Sequence, residues 1–121
     1  MATRDPNDPV ALYLREAAIA EPLSATEETE IFRRLGTTDG WHGDTEDAAR
    51  RVIESYLRLV VPIAERHAAS SGVSVLDLIQ EGNIALWNAV ETFAKNPSGV
   101  FSEYASVCIG NAISKAVAES K

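Results

Sequence analysis

The sequence predicts an all-α domain, a compact helical bundle. Two kinds of signal lead there: apolar residues recur every three or four positions in successive stretches, and helix-start signals precede those stretches. No segment shows sustained period-two alternation bounded by hairpin turns, which removes the main argument for strands. With 121 residues, 45% of them hydrophobic and 24% charged, the chain can bury one core and is too apolar to be wholly disordered.

Asp8 followed by Pro9 supplies an N-cap and a proline at the first helical position, so a helix is expected through Val10, Leu12, Tyr13 and Leu14, stopping before Pro22. Ser24 and Glu27 fit a capping box, and Gly36 sits where the three-turn helix they start should end. Residues 37–45, TTDGWHGDT, are polar and glycine-containing and read as a flexible loop around Trp41. A long helix from about Glu46 to Ala69 follows, with Ile53, Tyr56, Leu57, Val60 and Ala64 on its apolar stripe and a kink expected at Pro62. Ser74 and Asp77 form a second S-x-x-D/E signal, leading into a helix over Leu76 to Phe93. After the breaker Lys95 to Gly99, a last helix is expected from about Phe101, burying Ala105, Ile109, Ala112, Ile113 and Ala116. Its lack of a stop signal fits a chain trimmed from a longer protein or a frayed natural terminus.

Charge and composition narrow the function. Eleven Lys plus Arg against 18 Asp plus Glu give a net charge of -7, a poor balance for autonomous binding to phosphates. Lys95, Lys115 and Lys121 are the only cations after residue 67. A single cysteine, Cys108, permits no internal disulfide and no thiolate zinc cage, and it reads as a packed thiol. His42 and His67 lack metal-ligand spacing, and no glycine-rich phosphate loop or nucleophile–base pair stands out. No enzyme, metal or cofactor is therefore expected. The polar, acidic N-terminus is unlike a signal peptide, and no apolar run approaches membrane-spanning length, so the expected location is the cytoplasm.

The helix over residues 76–93 carries the most information. At about 100° per residue, Ile79, Leu86, Val90 and Phe93 share one side, and Gly82 allows a neighbouring helix to approach. The opposite side carries Asp77, Glu81, Ile84 and Asn88, flanked by Gln80 and Trp87. Acids one turn apart beside large apolar groups suit a basic protein partner, and a solvated face with incidental apolar residues fits the same pattern.

The string DLIQEGNIALWNAVETF, Asp77 to Phe93, closely resembles region 2 of the sigma-70 family of bacterial RNA polymerase sigma factors. DPVALYLREA (Asp8 to Ala17) and PLSATEETEI (Pro22 to Ile31) are similar to the family's region 1.2. ARRVIESYLRLVVPIAERH (Ala49 to His67) is similar to the helix before the clamp-binding one, and FSEYASVCIGNAISKAV (Phe101 to Val117) resembles the promoter-melting helix. The resemblance implies a region 1.2-like segment over 1–36, the loop 37–45 and a region 2-like domain over 46–121. It also implies docking on the β′ clamp coiled coil of RNA polymerase core. Asp77, Gln80, Glu81 and Asn83 match clamp-contacting positions, Trp87 stands where methionine is usual, and Ile84 and Asn88 complete the surface. The projection puts Asn83 toward the core flank, where a structural hydrogen bond is as well supported as a contact.

The melting helix departs from the family pattern F-S-T-Y-A-x-W-W-I-R-Q-A-I. Glu103 replaces threonine, Val107 and Cys108 replace the tryptophans, and Gly110 and Asn111 replace arginine and glutamine. Phe101 and Tyr104 persist at positions that in the family help hold flipped bases, and they, Asn111 and Lys115 are the candidate DNA-contacting residues. Packing is the competing role, strong for Phe101 and weaker for Tyr104, which projects off the apolar stripe. Gly110 weakens its helix by about 1 kcal/mol relative to alanine. The resemblance thus implies a transcription initiation factor domain that binds polymerase core and touches the promoter −10 element weakly or only with polymerase. The alternative is a clamp-binding regulator, decoy or split-sigma subunit that does not melt DNA alone. An anti-sigma factor or a second sigma subunit would be a further partner; these residues hold no helix-turn-helix for the −35 element usual in the family, so that domain is expected either to have been cut away or to come from a partner.

Overall fold

The computed structural model describes residues 23–37 and 43–120, so the helix expected after Pro9, and Trp41 and His42, lie outside the described residues. Four helices follow one another, α1 (Ala25–Gly36), α2 (Asp44–Ser71), α3 (Val75–Lys95) and α4 (Phe101–Glu119), and no strand occurs among the described residues. The all-α bundle is as expected. Helix α3 packs most extensively on α4 and α2, while α1 lies across α2 and α3.

Local signals explain most boundaries. At α1 the capping box forms in both directions: the Glu27 amide donates to Ser24 Oγ at 3.1 Å, and the Ser24 amide donates to Glu27 Oε1 at 3.2 Å. Gly36 closes α1, but for a reason other than a left-handed cap, since its φ is not positive. A Cβ there would collide with the Ala94 carbonyl oxygen, so glycine permits α1 to meet the end of α3 backbone to backbone.

Helix α2 begins at Asp44, so the last residues assigned to the loop are helical. Asp44, Glu46 and Asp47 all lie in its first turn, where carboxylates complement the helix dipole. The helix continues through Pro62, whose ring is exposed, and ends at Gly72 with φ 78, a left-handed cap. Its fully buried line is Ala49, Val52, Val60, Val61 and Ala64. Ile53, Tyr56 and Leu57, expected on the main stripe, are half-buried at its edge. Ser74 precedes α3 without a side-chain cap bond, which corrects the second capping box. Asp77 stays exposed in the first turn and acts there only through its charge.

The core face of α3 is as the spacing requires: Ile79, Leu86, Val90 and Phe93 are buried, with Leu78 and Ala89 beside them. Gly82 is the contact point of three helices. A Cβ on it would stand 2.6 Å from Val60 Cγ1 of α2 and 3.2 Å from Ile113 Cδ1 of α4. On α4, Ala105, Ile109 and Ile113 are buried as expected, while Ala112 and Ala116 are only half-buried at the margin of that face.

An aromatic cluster ties the four helices together. Phe32 of α1 meets Phe93 of α3 and Phe101 of α4 with ring centroids 4.9 and 4.8 Å apart, and Tyr56 of α2 meets Phe101 at 5.0 Å. The Tyr56 hydroxyl donates to the Glu28 carboxylate, binding α2 to α1 above the rings. Burial, together with that carboxylate, pushes the Tyr56 phenol far above its usual range.

Candidate functional site

Two surfaces emerge from this packing. The first is the outer side of α3. Because Leu78, Ile79, Gly82, Leu86 and Ala89 turn inward, the helical period turns Asp77, Gln80, Glu81, Ile84 and Asn88 outward, and all five are exposed. Ile84 is 58% exposed, the second most open large hydrophobic residue among the described residues. Among those residues neither Asp77 nor Glu81 forms an ion pair, so both carboxylates remain available. Asn83 and Trp87 are half-buried and already engaged with other groups. Asn83 thus sits on the flank facing the bundle, as its projection required. The surface left is a strip of acids and amides around one bare isoleucine, which selects a cationic and partly apolar partner.

The second surface surrounds α4, and here the structure corrects an expectation. Phe101 is 3% exposed and lies inside the aromatic cluster, so it presents no ring face to solvent and packs instead of stacking on a base. As the first residue of α4 it is set by the junction to point back at Phe32 and Phe93. Tyr104 is half-buried, not free of the apolar stripe: its ring lies 6.1 Å from that of Phe93. The Cys108 thiol next to its hydroxyl, with partial desolvation, raises the Tyr104 phenol above its usual range. Cys108 is a half-buried free thiol packed on the core. Asn111 and Lys115 are exposed, and Lys115 stands 3.9 Å from Glu119 in a solvated pair of little energetic weight.

Between α2 and α4 runs an open groove of about 550 Å³, walled by Arg58, Arg66 and His67 on α2 and by Ser106, Asn111 and Ser114 on α4. The sequence reading missed the two arginines, because nothing in their spacing shows that α2 lies alongside α4. The groove sets Asn111 of α4 beside Arg58 and Arg66 of α2, and phosphate oxygens suit such a lining. The described residues contain no group of His, Cys, Asp and Glu able to hold a metal ion, and no described helix is long and apolar enough to cross a membrane.

Comparison with known proteins identifies the family. A sequence model of the family described as Sigma-70 region 2 matches residues 52–121. A protein named RNA polymerase sigma factor SigA from a Bacillus species is 46% identical over 113 residues, covering 93% of this chain and 28% of that protein. The SigA of Listeria monocytogenes is 44% identical over the same share of both chains. The chain thus spans less than a third of the length of these relatives. The matched family segment runs from the middle of α2 to the end of the chain and takes in the whole outer strip of α3; the chain belongs to the sigma-70 family, as its region 2.

Proposed function

We propose that this chain is the core-binding domain of a transcription initiation factor, holding RNA polymerase core through the outer side of α3. Asp77, Gln80, Glu81, Ile84 and Asn88 meet the β′ clamp, Trp87 and Asn83 brace the strip from its flank, and no catalytic step is involved. The observation that carries this reading is the open strip itself: two unpaired carboxylates one turn apart beside an isoleucine that is 58% exposed. Left to solvent, Ile84 stabilises nothing; covered by a partner, it supplies about 1.5–3 kcal/mol of apolar burial. Promoter contact belongs to the α2–α4 groove, where Asn111 faces Arg58 and Arg66.

Purified core polymerase should retain the chain on an affinity resin, and Asp77→Lys with Glu81→Lys should abolish retention without changing the helical circular dichroism. Failure of every core polymerase tested to retain the wild-type chain overturns the reading.

A second reading is favoured by the make-up of α4. Val107 and Cys108 stand where the family usually carries tryptophans, and exposed Glu103 would lie close to phosphates and repel them. Under it the chain occupies the clamp without opening DNA alone. Permanganate reactivity of promoter thymines in the assembled complex separates the two, since it appears only when the duplex is melted.

A further inference from the structure

We propose that His67 is a third cationic ligand for promoter backbone phosphates in the α2–α4 groove and takes up a proton as the phosphate arrives, so that the chain holds DNA more tightly as pH falls. This rests on the reading of that groove as the promoter-contacting surface.

Arg58, Pro62 and Arg66 follow one another at four-residue steps along α2, which sets the backbones of the two arginines about 12 Å apart on one wall of the groove. The helical period turns His67 about 100° from Arg66, toward the buried row of Val60 and Ala64. His67 still lines the groove and is half-buried there, whereas both arginines are exposed. The wall on α4 contributes Ser106, Gly110, Asn111 and Ser114, all uncharged. Nothing lies within 4 Å of a Cβ added at Gly110, so that wall is low at its middle and admits a polymer backbone.

Charge gives the imidazole its task. No carboxylate lines the groove, and neither α1 nor α3 supplies any of its lining. On α2, Glu65 stands about 160° round the helix from His67. On α4, Lys115 and Glu119 face each other at 3.9 Å, and neither lines the groove. The charged groups facing His67 are therefore the fixed cations Arg58 and Arg66. Among the described residues the imidazole forms no ion pair or hydrogen bond; only the His67 carbonyl is used, accepting from Ser70 Oγ at 3.2 Å. Packing and capping thus leave the ring unassigned. A phosphate entering the groove supplies the missing negative charge, which favours an imidazolium, and the ring N–H then donates to a phosphate oxygen. Arginine binds at any pH, whereas histidine adds its contact only when charged, so binding draws in a proton.

The test measures binding of a fluorescent duplex carrying a −10 element to the full chain assembled on purified core polymerase, at constant ionic strength. Between about pH 8 and about pH 6 the wild-type affinity should rise about fivefold more than that of His67→Gln, which lacks the titratable ring. His67→Arg, charged throughout, should bind at the higher pH at least as tightly as wild type binds at the lower one. Independently of any variant, calorimetry of wild-type binding near neutral pH in two buffers of different ionisation enthalpy should show net proton uptake. Equal pH dependence in wild type and His67→Gln, no gain from His67→Arg, or no proton uptake overturns the proposal. Inorganic phosphate replacing chloride should leave the duplex bound; displacement by it overturns the assignment to DNA. Arg58→Gln with Arg66→Gln separates this inference from the reading beneath it. Unchanged duplex affinity in that pair removes the groove as a promoter contact, whereas weakened affinity with no pH difference between wild type and His67→Gln removes only the part given to His67.

Discussion

Single residues in this bundle are fixed by what stands within a few ångströms, and two glycines show it. Helix propensity alone makes Gly→Ala worth about 1 kcal/mol at either position 82 or position 110. At Gly110 nothing lies within 4 Å of an added Cβ, so Gly110→Ala should raise stability by about that amount. At Gly82 the same methyl would press on Val60 and Ile113, and Gly82→Ala should lower stability by about 1–3 kcal/mol. Urea unfolding of the two variants side by side checks the opposite signs. Tyr56 gives a second case. Tyr56→Phe leaves the ring against Phe101 and removes the bond to Glu28, for a loss of about 0.5–1.5 kcal/mol. Because folding raises the phenol above its unfolded value, that contribution is complete below about pH 10 and fades as pH rises beyond it. The unfolding midpoints of wild type and Tyr56→Phe should therefore converge in alkaline solution.

Whole elements depend on how their ends are satisfied and on what lies beside them. Helix α1 has only 12 residues, too few to persist alone, and is held by its capping box, by Ile31, Phe32 and Leu35 in the core and by the Tyr56–Glu28 bond. The Ser24 amide and hydroxyl hold the Glu27 carboxyl below its usual range. The sign follows: the charged cap is present above the unfolded carboxylate pKa and is lost as pH falls through the lower folded one. Backbone NMR of α1 should show its first turn fraying below about pH 4; Glu27→Gln should remove that acid dependence, and Ser24→Ala should cost about 1 kcal/mol of helix stability. The Glu27–Arg51 pair, 3.7 Å apart and solvated, adds little by comparison. In α2 the proline is carried by burial on either side of it, Val60 and Val61 before and Ala64 after. Pro62→Ala restores the missing donor toward Arg58 and should stabilise the fold, by up to about 3 kcal/mol, in the same urea assay.

At the scale of the whole molecule, one charge pattern governs binding. The acids Asp77 and Glu81 on the outer side of α3 form no ion pair among the described residues, so under the proposed function binding to core polymerase should weaken as salt is raised, and Asp77→Lys with Glu81→Lys should flatten that dependence. Equilibrium binding at two ionic strengths measures it. Much of this arrangement was readable from residue order. The period of Ile79, Leu86, Val90 and Phe93 determined the buried side of α3 and therefore its open side, and Ser24 with Glu27 determined where α1 starts, because both are properties of one helix and its neighbours in the chain. Family membership was legible for the same reason, in the contiguous DLIQEGN string. The burial of Phe101, the packing of the Tyr104 ring on Phe93, the missing cap at Ser74 and the placing of Asn111 in one groove with Arg58 and Arg66 were decided only by tertiary structure. Each depends on which helix lies alongside which, and the pattern of apolar residues along a single helix says which side is buried without saying what buries it.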